Sequence, residues 1–144
     1  MLFRSPRREA DLSYWREKLA GSQGSELSPD FVRPAIQTFR GGRVSARVTP
    51  EAREQVAALA RDERASLFMV LLAAFKILLS RQSGHDDIVV GSPIANRTRV
   101  ETEGLIGFFV NTLVLRTDLG GDPTAAEMVS RVRETAIGDR KSVV

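Results

Sequence analysis

The chain has 144 residues, enough for one domain with a single core, and its 42% apolar and 27% charged residues exclude a fibrous repeat and wholesale disorder. It contains no cysteine, which excludes a disulfide framework, a thiol nucleophile and a zinc finger. The net charge of +3, from 21 basic and 18 acidic residues, is small, and the arginines are scattered among acids, as in Arg61-Asp62-Glu63-Arg64, so nucleic acid is not an expected partner.

In chain order, Leu12, Trp15 and Leu19 fall on one helical face between Ala10 and Ala20, and Gly21 offers a left-handed stop. From Gly21 to Gly42 the chain is rich in Ser, Gly and Pro, with Pro29 and Pro34 forbidding regular helix, and reads as an extended connection. After Gly41-Gly42, Val44, Ala46 and Val48 alternate with Ser45 and Arg47, the period-two pattern of a half-buried strand. Thr49-Pro50 opens a second helix with a capping hydroxyl and a proline whose missing N–H costs nothing in the first turn; Val56, Leu59 and Ala60 form its apolar stripe.

Ser66 caps a third helix whose run Leu67 to Phe75 is apolar around most of its circumference, the pattern of a helix buried on several sides, with a full core cost expected for Phe75→Ala. The apolar run to Leu79 is interrupted by Lys76 and falls short of the about 20 residues that a bilayer demands. The arginines of Met1 to Arg8 have no apolar stretch behind them, so neither a secretory signal nor a membrane span is expected, and a cytoplasmic location is the simplest inference. A turn at Gly84-His85-Asp86-Asp87 leads into the continuous apolar strand Ile88 to Gly91, expected inside a sheet covered on both faces.

A further strand, Phe108 to Arg116, places Phe109, Asn111, Leu113 and Leu115 on one face, which surrounds the Asn111 amide with apolar neighbours. Asp122-Pro123 then opens a last helix with Met128, Val129 and Val132 as its core face and Gly138 as its end. Asp86 and Asp87, being consecutive, point to opposite faces and suit a turn better than a shared ligand; His85 lies in the same turn with no second candidate ligand nearby, so no metal site is expected.

Four segments taken together resemble a known family: Tyr14 to Gly21 (YWREKLAG), Ser66 to Phe75 (SLFMVLLAAF), Asp86 to Arg97 (DDIVVGSPIANR) and Ile106 to Arg116 (IGFFVNTLVLR). Their order and separation resemble the middle and later part of condensation domains of nonribosomal peptide synthetases, the IGxFVNT string being the most specific. The resemblance divides the chain into a non-family segment 1–10, a partial condensation domain 11–136 and a non-family tail 137–144.

It implies an α/β fold class, an incomplete chloramphenicol acetyltransferase-like lobe with a mixed sheet flanked by helices. It also implies a tunnel between two such lobes, in which an amine on one carrier attacks a thioester on another. The expected partners are peptidyl carrier domains and the missing condensation-domain lobe. No cofactor is expected to bind directly, 4'-phosphopantetheine being carried by the carrier proteins. Asn111 is the candidate tunnel residue, beside Gly107, Phe109 and Thr112, or else a structural amide that bonds neighbouring backbone. Arg97 matches a family arginine on the loop between two strands, where it could meet a phosphate or carboxylate or stand solvated.

No catalytic residue is assigned, because the family's HHxxxDG motif needs adjacent histidines and His85 is the only histidine. Aminolysis gains about 10²–10⁴ from a placed acid–base group, so the chain is expected to be inactive alone. The end at Val144 lacks a string resembling HQDxPFE, and Met1 to Arg8 lacks the family's preceding segment, as a fragment or broken reading frame would. A non-catalytic module docking a carrier or a lobe, or a degraded reading frame without a role, are the alternatives.

Overall fold

A computed structural model describes residues 6–22, 24, 27–95, 97 and 100–141. Helix α1 (Pro6–Leu19) is followed by a long extended connection, then by α2 (Pro50–Asp62), α3 (Leu67–Ser83), strand β1 (Asp87–Ile94), a single 3₁₀ turn (Val100–Thr102), strand β2 (Asn111–Asp118) and α4 (Ala125–Lys141). The two strands form an antiparallel pair, with register running from Asp87 opposite Asp118 to Ile94 opposite Asn111.

Local chemistry sets the helix starts. The Thr49 hydroxyl accepts from the Ala52 N–H at 3.3 Å, with Pro50 in the first turn. Ser66 Oγ likewise accepts from the Met69 N–H at 3.3 Å. Gly84 closes α3 at φ +72, the left-handed conformation a side chain would resist, and returns its N–H to the Ser80 carbonyl. Helix α4 starts later than the Asp122-Pro123 pair suggests. Asp122 adopts φ +50 and is not the cap; Thr124 and Glu127 form a reciprocal capping box instead, with the Thr124 N–H donating to Glu127 Oε2 at 2.7 Å and the Glu127 N–H to Thr124 Oγ1 at 3.3 Å. Those bonds to Thr124 hold the exposed Glu127 carboxyl below its ordinary range. Nor does α4 stop at Gly138, since its hydrogen-bonded turns continue to Lys141.

The core lies where α3 and α4 meet one face of the hairpin. Val70, Leu72 and Ala73 of α3, Met128, Val129 and Val132 of α4, Ile88, Leu113 and Leu115 of the strands, and Leu119 and Ala60 close upon one another. The apolar face expected for α4 is therefore the buried one. Trp15 and Leu19 of α1 are half-buried, whereas Leu12 is exposed.

Three expectations change. Residues 44–48 form no strand, and Val44 is 97% exposed, because no described segment lies alongside to satisfy its backbone; alternation alone does not make a strand without a partner. The sheet among the described residues is antiparallel rather than mixed, and β1 is not covered on both faces: Gly91 and Pro93 are exposed. Helix α3 is buried on one side only. Its opposite side presents Phe68, Leu71, Phe75 and Leu78, each about half exposed.

Phe75 at 48% exposure is therefore not a full core residue. A closed-core Phe→Ala change costs about 3–5 kcal/mol, and half of the burial scales this to about 2 kcal/mol. Denaturant midpoints are expected to show Phe75→Ala costing clearly less than Met128→Ala; equal losses would mean that the outer side of α3 is covered in solution.

Candidate functional site

The antiparallel register carries the candidate residues to one end of the hairpin. Because Ile94 lies opposite Asn111 and Pro93 opposite Thr112, the connection 95–110 leaves and re-enters at the same place. Asn111 and Thr112 are the first residues of β2 and both are exposed. The apolar enclosure expected for Asn111 is thus absent among the described residues: the strand begins at this residue, which is exposed, and its Oδ1 accepts the Thr112 N–H at 2.8 Å. The strand expected at 108–116 is correspondingly shifted to 111–118. Across the pair, a side chain at Gly91 would stand 3.3 Å from the Thr112 methyl group, which favours glycine there.

The connection has its own organisation. The Arg97 guanidinium lies over the Phe109 ring, 4.3 Å from its centroid. Its Nη1 donates to the carbonyl oxygens of Thr102 and, at 3.4 Å, of Glu103; its Nη2 donates to that of Gly107 at 3.5 Å. Gly107 has a packing reason to be glycine, since a Cβ would come within 3.1 Å of Phe109 Cε2. The structure therefore gathers Arg97, Gly107 and Phe109 into one cluster and sets Asn111 and Thr112 just beyond it. Phe108 and Ile106 point away from any cover, Phe108 being 90% exposed.

The turn at 84–87 is structural. The Asp86 carbonyl accepts the Leu119 N–H at 2.8 Å, and the His85 N–H donates to Ser83 Oγ at 3.3 Å. Asp87 makes a two-oxygen ion pair with Arg116 at 2.8 and 2.9 Å. No group of three or more potential metal ligands occurs among the described residues.

A polar network inside the core has no counterpart among the sequence expectations. Lys76 is 0% exposed and donates from Nζ to the Leu115 carbonyl at 2.7 Å and to Thr117 Oγ1 at 2.6 Å. Thr117 in turn reaches Thr135 at 3.4 Å, whose hydroxyl donates to the Arg116 carbonyl at 3.2 Å. Asp139 is equally buried; its Oδ1 accepts the Tyr14 hydroxyl and its Oδ2 has no partner among the described residues.

Burial pushes the Lys76 amine down to about 8, opposed by the charge of Asp139. Burial also raises the Asp139 carboxyl, against the Tyr14 hydrogen bond and the charges of Lys18 and Lys76. The Tyr14 hydroxyl is raised by burial and by its bond to Asp139. The one available signal was Lys76 itself, a cation within an otherwise apolar helix.

Helices over an antiparallel hairpin with a bound-up connection at its mouth define the class, an α/β lobe. Residues 3–141 match the family described as "Condensation domain", and the chain belongs to that family. The resemblance to condensation domains of nonribosomal peptide synthetases holds.

The chain is 52% identical over 131 residues to one of the polypeptides of the linear gramicidin synthase of Brevibacillus parabrevis, covering 90% of this chain and 3% of that protein. It superposes on the X-domain from teicoplanin biosynthesis with a TM-score of 0.88 at 31% identity, covering 94% of this chain and 30% of that one. For the first condensation domain of the CDA synthetase the TM-score is 0.76 at 25% identity, with 96% and 30% covered. The chain thus spans a small part of its curated relatives and about a third of each of these folded neighbours. No helix among the described residues is long and apolar enough to cross a membrane.

Proposed function

We propose that the chain supplies one wall of a condensation-domain tunnel for amide formation between two carrier-borne substrates. The amine on the acceptor carrier attacks the thioester carbonyl on the donor. The C–N bond forms, the C–S bond breaks, and the amine proton passes by way of an imidazole of HHxxxDG to the departing sulfur, which leaves as a thiol on its carrier. Peptidyl carrier domains and a complementary lobe are the partners, and 4'-phosphopantetheine arrives attached to the carriers rather than bound as a resident cofactor.

The observation that carries this reading is the placement of Asn111. A polar amide sits uncovered at the mouth of the hairpin, next to a loop organised by residues of the same motif, where it can meet a substrate instead of the core. Thr112 borders the same opening, and Gly107, Phe109 and Arg97 shape it. With His85 as its only histidine, the chain holds no HHxxxDG and is inactive by itself.

The test mixes the chain with loaded donor and acceptor carriers, with and without a polypeptide bearing the HHxxxDG lobe of a relative. Amide is expected only when both polypeptides are present. Asn111→Ala, being at an exposed position, is expected to lower that rate about tenfold, equivalent to about 1.4 kcal/mol of barrier, with no change in melting temperature. Amide formation by the chain alone would overturn the reading.

A second reading has an observation of its own. The half-exposed side of α3, with Phe68, Leu71, Phe75 and Leu78, suits a non-catalytic module that docks a carrier or a lobe. Carrier binding that persists while Asn111→Ala leaves the combined system's rate untouched would favour it.

A further inference from the structure

We infer that Arg97 is a positioning residue that fastens the neck of the 95–110 connection and thereby fixes where Asn111 stands; this deepens the tunnel reading and rests on it. Ile94 and Asn111 are the last paired residues of the hairpin, so Arg97 is three positions beyond the end of β1 and Phe109 two positions before the start of β2. A contact between them closes the connection where its two ends approach.

The contact has two parts that act together. Phe109 presents a ring face to the guanidinium at 4.3 Å, and the guanidinium distributes its N–H groups to carbonyls at Thr102, Glu103 and Gly107. Three carbonyls spread along the loop, gathered onto one planar fork, impose a shape that a point charge on a flexible stem does not. Gly107 completes the fit, because any side chain there would press on the Phe109 ring.

The same geometry speaks against direct recognition of a phosphate or carboxylate by Arg97. Its terminal donors face backbone oxygen atoms of its own loop, and one face of the guanidinium is stacked on Phe109. An anion would have to displace those partners. The two sequence motifs that end in Arg97 and begin near Ile106 therefore act as a single unit, with the arginine working on Asn111 through Phe109 and the loop backbone.

The experiment uses the full chain, isotopically labelled for NMR, with Arg97→Met, Arg97→Lys, Phe109→Leu and the Arg97→Met/Phe109→Leu pair. In the unsubstituted chain the Arg97 side-chain N–H signals are expected upfield, shifted by the aromatic ring, and to stay in place when phosphopantetheine is added. Each single substitution is expected to move the Asn111 and Thr112 amide signals in the same direction. The pair is expected to move them no further than one substitution alone. Arg97→Lys is expected to behave like Arg97→Met, since an ammonium cannot span the three carbonyls.

The core signals of Val129 and Val132 report whether a variant remains folded. Unmoved Asn111 and Thr112 signals in a folded Arg97→Met chain would overturn the inference. So would displacement of the Arg97 signals by phosphopantetheine. Neither readout depends on amide synthesis, so a failure of the tunnel reading in the carrier assay is separable from a failure of the clamp.

Discussion

Lys76→Ala is expected to cost about 3–5 kcal/mol, a large share of the 5–15 kcal/mol by which a domain is held folded. The side chain is wholly buried and gives two short hydrogen bonds, so its loss leaves the Leu115 carbonyl and the Thr117 hydroxyl short of a donor and opens a cavity between α3 and β2. It also removes the positive charge that favours ionised Asp139, already burdened with one unpartnered oxygen.

Removing both charges is a different matter. The Lys76→Met/Asp139→Leu pair fills the space with apolar groups and leaves no buried ion, so it is expected to regain at least about 1 kcal/mol relative to the sum of the two single losses. Denaturant titrations of the four chains form the cycle. Simple additivity would mean that the two groups do not act as one network.

The second large effect is a rise in stability with pH. In the unfolded chain the Lys76 amine titrates near its ordinary 10.5, while in the folded chain burial brings it down to about 8. Below about pH 8 both forms are protonated and the folded chain bears the full penalty of a buried cation. Between about 8 and 10.5 the folded form has released its proton and the unfolded form has not, so stability climbs by about 3 kcal/mol in total.

Tyr14 limits the climb at its upper end. Its hydroxyl is raised in the folded chain, so ionisation of the unfolded chain from about pH 10 pulls stability back down. Burial raises the Asp139 carboxyl as well, so its contribution to stability is lost as pH rises through its titration. Unfolding free energies measured from pH 7 to 10 are expected to rise, and the rise is expected to vanish in Lys76→Met. A flat profile in the unsubstituted chain would show that the amine is not desolvated.

What could be read from the residues was what local chemistry decides. Thr49-Pro50 and Ser66 start helices because a hydroxyl and the next few amides suffice. Met128, Val129 and Val132 are core because helical spacing puts them on one face. At Asp122-Pro123 two local signals competed, and the Thr124–Glu127 box two residues later won. Gly138 stays inside α4, where a side chain would stand 3.3 Å from the Tyr14 hydroxyl, so its smallness serves a contact with a residue far away in sequence.

Elements that depend on distant partners were not legible. Val44 to Val48 carries a strand's alternation, but a strand exists only beside another, and none of the described residues provides one. Period two also placed Asn111 among apolar neighbours without saying that β2 would start there and leave it bare. The IGxFVNT string marked the residues that lead into β2, yet the stacking of Arg97 on Phe109 came from register, which no single segment encodes. Lys76 was visible as an oddity, and only the fold supplies its companions from β2, α4 and α1.

Arg116 binds the Asp87 carboxylate and, through Nη1, the carbonyls of Lys18 and Ala20 at 2.8 and 2.7 Å. One guanidinium thus ties the end of the first helix to the first residue of β1, reaching far back along the chain to do so. Replacing that carboxylate, as in Asp87→Ala, would free the tether at one end and loosen its grip at the other. Loss of this one carboxylate at the sheet margin would be felt as slack in the helix at the start of the chain.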